Sequence, residues 1–395
     1  MDAFFYGGLV QENLFEVSGM KASIAIIENN IIATNTIRGK LTSTLVEKGY
    51  HVTVLTTGTE ADLQQARQNG FNVMDVKGST QNPLDIINYM HNLKKALKQT
   101  NTTVCLTFTI RPAIWGNVVT RHLNIPTITN ITGIGPLFAR NNIAYRAART
   151  LYKFVLKKTA KIFFQNYDDM HIFLERGFVK PGRAERIPGS GIDHQFYQPM
   201  PARPADGKFI FLFISRLVKD KGILEYVEAA RLLKNKLPNT EFKVLGPVWL
   251  QNLKDNTVTV AEVQQWVNEG VIDYLGDAKD VRRHIAAADC IVLPSYREGT
   301  SNVLLEASSM ERPCITCNTT GCKEIVEDNV TGFLCKVQDA ADLAAKMQQM
   351  YELAAEERVE MGKNARQKVI KEFDKQLVID AYLKAIEKIN VVNEL

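Results

Sequence analysis

The sequence predicts an α/β protein of two doubly wound, Rossmann-like domains facing each other across a cleft. Three features carry that expectation. Short apolar runs alternate with longer segments of helical period along most of the chain, the mark of strand–helix units with parallel sheets. The alternation stops once, where Pro188, Pro199, Pro201 and Pro204 cluster with Gly189, Gly191 and Gly207 in a linker composition. A chain of 395 residues with 45% hydrophobic content is also enough for two packed domains of ordinary size.

The elements follow in order. Residues 1–19 have no clear period and lack the basic start and apolar centre of a secretory signal, so they are set aside as a leader or expression remnant. The N-terminal domain is expected over 20–198, with strands at 23–27, 52–56, 73–76, 104–108, 127–130 and 161–164. Helical patterns lie between them, as at 83–98 and 112–122. The C-terminal domain is expected over 199–375, with strands at 209–214, 241–245, 272–275, 289–293 and 313–316, and helix from about 339 onward. In such sheets, ligands bind outside the carboxyl ends of the strands, so the loops after strands are where function is sought.

Composition narrows the classes. A net charge of +5 is mild and gives no reason to expect nucleic acid. No apolar run is long enough to span a bilayer. Cys105 and Cys290 lie in apolar strand runs, and Cys314-x2-Cys317-x4-Cys322 lacks a second CxxC and a nearby His. Zinc is therefore not expected, nor any other metal or cofactor, and scattered thiols fit a reduced cytoplasmic setting.

The chemistry concentrates at Arg297-Glu298-Gly299-Thr300-Ser301-Asn302-Val303-Leu304-Leu305-Glu306-Ala307, which follows the apolar run Cys290–Pro294. This reads as strand, loop and helix, with Glu298 in the loop and Glu306 two turns into the helix. The helix start around Gly299, Thr300, Ser301 and Asn302 offers backbone N–H groups suited to a phosphate. A carboxylate can accept from two sugar hydroxyls at once, as acidic residues do with ribose in dinucleotide sites. Phosphate, polyol and ribose partners together point to a nucleotide-sugar. A second cluster, Ser215-Arg216-Leu217-Val218-Lys219-Asp220-Lys221-Gly222, follows the strand at 209–214. Arg216 supplies a planar fork and Lys221 a compact charge, a pair able to clamp a diphosphate.

Glu298-x7-Glu306, set between Ala287–Ser295 and the stretches Thr320–Val326 and Val330–Leu334, resembles the signature of retaining glycosyltransferases of family 4, which have the GT-B fold. Arg216 and Lys221 match the Arg and Lys that hold the donor's phosphates in that family. The resemblance implies a hexosyl- or N-acetylhexosaminyl-transferase for bacterial surface polysaccharide. Its UDP-linked donor sits on the C-terminal domain, and its acceptor, a polyprenyl-diphosphate-linked saccharide, sits on the N-terminal one. It further implies that Arg216 and Lys221 stabilise the leaving diphosphate, that Glu298 orients donor-sugar hydroxyls and that Glu306 holds the ribose. Gly246 and Leu275 then border the donor. The final helix, 376–395, returns to the first domain.

On the acceptor side, Thr132-Gly133-Ile134-Gly135 resembles a glycine-rich loop of transferases acting on lipid-linked sugars. The loop after the first strand departs from the family: Glu28-Asn29-Asn30 stands where many members carry paired glycines, which leaves Asn29 and Asn30 for acceptor hydroxyls. Two rivals share the donor site: a nucleotide-sugar epimerase of the same fold, and a non-catalytic nucleotide-sugar binder. The segment 141–161 completes the reading. Arg146, Arg149, Lys153 and Lys157 recur on one helical face, with Ala148, Leu151, Tyr152 and Val155 on another. Such a helix either lies on the anionic inner surface of the cell membrane, making the enzyme peripheral, or docks on its own sheet with a solvated basic face.

Overall fold

The structure is a computed structural model and describes residues 22–78, 82–134, 138, 143–201, 207–248 and 256–393. Residues 1–19 and Gly135 of the sequence reading lie outside them. The chain divides into two compact units, residues 1–129 with 158–160 and 383–395, and residues 130–157 with 161–382. The last helix, Lys375–Asn393, thus begins in the second unit and ends in the first.

Thirteen strands are described: β1 Ser23–Ile27, β2 His51–Thr56, β3 Asn72–Asp75, β4 Val104–Phe108, β5 Thr127–Ile131, β6 Lys161–Phe164, β7 Ala184–Arg186, β8 Phe209–Ile214, β9 Thr240–Leu245, β10 Asp273–Tyr274, β11 Cys290–Leu293, β12 Cys314–Cys317 and β13 Gly332–Cys335. They form a seven-stranded sheet of order β3-β2-β1-β4-β5-β6-β7 and a six-stranded sheet of order β10-β9-β8-β11-β12-β13. The described pairings are parallel; Ile24 faces both Val52 and Val104, and Leu212 faces both Lys243 and Ile291. Parallel strands are covered on both faces, which is why β4, β8 and β11 are apolar without alternation and buried along their length.

In each sheet the strand order reverses once, between β1 and β4 and between β8 and β11. Loops leaving two such strands diverge and open a crevice at their carboxyl ends. Both clusters singled out above leave the second of these points: Arg216 and Lys221 follow β8, and Glu298 follows β11.

The expected strands are present, with three differences. The three-residue β7 and the four-residue β13 were not expected. Neither has a long apolar run, because β7 is a half-exposed edge and β13 begins on a glycine. The expected strand at 272–275 contracts to two residues. The expected helix at 112–122 opens as a π-turn, Pro112–Gly116, before the α-helix Asn117–His122. Buried Asn117 ties this segment to its neighbours: its amide donates to the Ala113 carbonyl at 2.9 Å and to Thr129 Oγ1 at 2.8 Å. Its oxygen accepts from Thr159 Oγ1 at 2.9 Å.

Candidate functional site

The site is built in the second unit, at the carboxyl ends of β8 and β11. Strand β8 passes through Ser215 and exposed Arg216 into a single 3₁₀ turn, Lys219–Lys221, and the helix Ile223–Lys234 follows. Beyond β11, Glu298 is held by its own backbone: its N–H donates to the Thr320 carbonyl at 2.9 Å. These two loops meet through side chains, because Lys221 Nζ donates to Glu298 Oε1 in a mostly buried ion pair. A cation and a carboxylate are thereby fixed beside one another where the sheet opens.

Two glycines let the backbone close around this point. Gly246 has φ 140°, and a Cβ there would lie 1.9 Å from the Ser215 carbonyl oxygen. Its N–H donates to the Gly276 carbonyl at 2.7 Å, and its carbonyl accepts from Tyr274 Oη at 3.0 Å, next to exposed Leu275. At Gly299, a Cβ would lie 1.9 Å from the Thr132 carbonyl oxygen. Thr132 and Gly133, read as acceptor-side residues, therefore pack directly on the donor-side loop. Thr300 Oγ1 donates to the Gln165 carbonyl at 3.0 Å, and Asn166 Nδ2 donates to the Gly299 carbonyl at 2.8 Å.

In the helix Asn302–Ser309, Glu306 stands in the second turn. Ser301 serves the helix start: its Oγ accepts from the Leu304 N–H at 3.4 Å, and its own N–H donates to the Gly321 carbonyl at 3.0 Å. Asn302 is half-buried. Glu306 keeps some open surface, but its carboxyl is crowded by protein. Burial is the largest influence and pushes it up to about 7, opposed by a hydrogen bond from Tyr197 and by the charge of Lys375, and aided by Asp280.

Several residues here were missed. Asp169 is fully buried and pairs with Arg297, while Asp168 Oδ2 accepts from Thr320 Oγ1 at 2.5 Å and lies 3.1 Å from Lys323 Nζ. The Thr320 hydroxyl foremost, then Lys323 and Arg297, hold the Asp168 carboxyl below its usual range against a smaller effect of burial. Asn166 caps this turn, accepting from the Asp169 N–H at 2.8 Å. Asn-x-x-Asp directly after the apolar run of β6 is a helix-start signal that could have located it. Tyr197, in the proline-rich linker, carried no signal.

The remaining candidates belong to the first unit or to the helix Ile143–Leu156 and its C-terminal end. In the first unit, Asn29 Nδ2 donates to Thr109 Oγ1 at 2.7 Å, and Thr109 has φ 71°. Asn30 Oδ1 accepts from the Ile32 N–H at 2.8 Å, closing a local turn. Glu28 is buried against Arg38, Nε to Oε1 3.4 Å, and burial raises its carboxyl. On the helix Ile143–Leu156, Tyr152 and Val155 are 1% and 3% exposed, so the expected apolar stripe is spent on the protein's own core. The basic face turns outward at Arg146 and Lys157, with Phe154 58% exposed beside it. Arg149 is half-buried, and Lys153 Nζ donates to the Arg176 carbonyl at 2.7 Å. No described helix is long and apolar enough to cross a membrane.

Residues 31–166 match the family described as glycosyl transferase 4-like, and residues 199–368 match glycosyl transferases group 1. The N,N'-diacetylbacillosaminyl-diphospho-undecaprenol α-1,3-N-acetylgalactosaminyltransferase of Campylobacter jejuni is 24% identical over 344 residues, 82% of this chain and 88% of that protein. The UDP-Gal:α-D-GlcNAc-diphosphoundecaprenol α-1,3-galactosyltransferase of Escherichia coli is 26% identical over 302 residues, 72% and 74% of the two chains. The crystal structure of Anabaena HepE with UDP and glucose superposes with a TM-score of 0.78 at 16% identity, covering 93% of this chain and all of that one.

Proposed function

The chain is a glycosyltransferase of the GT-B fold, and we propose that it moves a sugar from a UDP-sugar, with retention of configuration, to a lipid-diphosphate-linked saccharide in surface-polysaccharide synthesis. Two relatives named for undecaprenyl-diphosphate-linked acceptors, similar over most of their length, support the acceptor class. The observation that carries the chemistry is the Lys221–Glu298 pair at the β8/β11 crevice, with Arg216 on the same loop as Lys221.

In this reading Arg216 and Lys221 face the donor diphosphate. The bond from the sugar's anomeric carbon to the diphosphate breaks, the new bond to an acceptor hydroxyl forms on the same face, and the hydroxyl proton passes to the leaving phosphate oxygen. Negative charge grows on the diphosphate as this happens, so fixed cations favour the transition state over the ground state. Glu298 orients sugar hydroxyls and holds Lys221 in place. Glu306 accepts from the ribose hydroxyls, with Gly246, Leu275, Gly299, Thr300 and Asn302 lining the donor. No metal or cofactor takes part. Asn29, Asn30, Thr132 and Gly133 serve the acceptor, and the outward basic face of Ile143–Leu156, with Phe154, rests on an anionic membrane surface.

The test is incubation with a panel of UDP-sugars, with and without a polyprenyl-diphosphate-linked saccharide. UDP release that requires the acceptor is the expected result. Interconversion of the sugars without acceptor would overturn it.

A further inference from the structure

The loop that carries Glu298 has no regular structure over residues 294–301, yet one short segment after β6 holds it at several points. Gln165 and Asn166 directly follow β6, and Asp168 and Asp169 stand in the first turn of the helix Tyr167–Glu175. Asp169 pairs with Arg297, the residue before Glu298. Asn166 Nδ2 donates to the carbonyl of Gly299, the residue after it, at 2.8 Å. Thr300 Oγ1 donates to the Gln165 carbonyl at 3.0 Å. Asp168 Oδ2 accepts from Thr320 Oγ1 at 2.5 Å, and the Thr320 carbonyl takes the Glu298 N–H at 2.9 Å. Gly321 comes close as well, since a Cβ there would lie 2.5 Å from the Glu298 carbonyl oxygen.

Resting on the reading of Glu298 as the residue that orients donor-sugar hydroxyls, we propose that Asp169 is a positioning residue: its ion pair with Arg297 fixes the loop so that the Glu298 carboxylate meets the sugar in the reacting geometry. The two partners are unequal. Asp169 is 0% exposed, whereas the Arg297 side chain keeps 39% of its surface. The aspartate is the fixed member. Its N–H donates to Asn166 Oδ1 at 2.8 Å, and its Oδ2 accepts from Asn166 Nδ2 at 3.2 Å. It also lies at the start of a helix, which favours negative charge. A buried carboxylate is costly unless paired, so Asp169 draws in the loop's guanidinium. Consecutive Cα atoms are about 3.8 Å apart, so anchoring Arg297 restrains Glu298. Lys221 grips the carboxylate itself, while the Asp169–Arg297 pair sets the backbone that carries it. The need for both is geometric, because a misplacement of about 1 Å can cost on the order of 100-fold in rate.

The experiment is a double-mutant cycle on the full chain: parent, Asp169→Asn, Glu298→Ala and the two together. Turnover is measured with the UDP-sugar and polyprenyl-diphosphate-linked saccharide that give acceptor-dependent UDP release, and UDP affinity by calorimetry. Asp169→Asn keeps the side chain's shape, and its thermal transition checks folding. Arg297→Met goes through the same cycle and breaks the pair from its more exposed side, so it decides the matter should the buried substitution not fold. Either change should lower kcat on the order of tenfold by displacing Glu298. UDP affinity should stay within about twofold, since hydrogen bonds to the sugar are absent from free UDP. In the Glu298→Ala background the same change should cost less than about twofold, because the carboxylate it positions is gone. Unchanged kcat, a loss of UDP affinity as large as the loss of kcat, or an equal fold-loss in both Glu298 backgrounds would mean that the pair only stabilises the fold, and the proposal fails. If Glu298→Ala turns over as the parent does, the reading of Glu298 itself fails.

Discussion

At the scale of residues, the division of labour proposed for the two glutamates follows from their surroundings. Glu298 is ion-paired with Lys221 in a loop, whereas Glu306 is crowded within the second turn of a helix. Changing Glu306 to Gln should weaken UDP and UDP-sugar alike. Glu298→Gln should spare free UDP but lower turnover, because it loses sugar contacts and also releases Lys221. Calorimetry showing equal losses of UDP affinity in both variants would refute the division. Arg216→Ala and Lys221→Ala should each lower turnover on the order of 100-fold, as removal of a preorganised partner for developing charge does, with folding intact. Near-parent rates in either purified variant would sink the clamp. These four side chains could be read from the sequence because each lies within a short motif after an apolar strand. Asp168, Asp169 and Tyr197 could not, since their partners are Thr320, Arg297 and Ser309, more than a hundred residues away.

At the scale of elements, the basic helix shows how a periodic pattern leaves its use open. The period of Ile143–Leu156 separates a basic face from an apolar one, and both expected dispositions of that helix were consistent with it. Packing spends the apolar face internally, with Tyr152 edge-on to Phe173 at 5.7 Å, and among the described residues Arg146, Lys157 and Phe154 are exposed on the outward face. Each Lys or Arg near an anionic surface is worth about 1 kcal/mol. Changing Arg146, Arg149, Lys153 and Lys157 together to Gln should therefore reduce sedimentation with anionic liposomes. Activity on a long-chain lipid acceptor should fall while activity on a short soluble analogue stays, and added salt should mimic the change by screening. Liposome binding equal to the parent's would leave the helix a core-packing element only.

At the scale of the whole molecule, a donor that binds only the folded chain must stabilise it. UDP at 100 times its dissociation constant should add about 2.7 kcal/mol to unfolding, visible as a raised thermal midpoint that Glu306→Gln loses. A midpoint indifferent to UDP in the parent would argue against the donor. The sequence by itself determined the α/β class, the two sheets, the linker composition between them and the two loops that face the β8/β11 crevice. Strand and helix periods, turn residues and charge spacing are local properties, set by the backbone geometry of a few residues at a time. Tertiary structure alone decided that Lys221 meets Glu298 across 77 residues, that Thr132 packs on Gly299 and that the linker's Tyr197 carbonyl meets Ser309. Those contacts depend on strand order and on the close approach that glycine permits. Neither leaves a period in the chain, so only the folded backbone could reveal them.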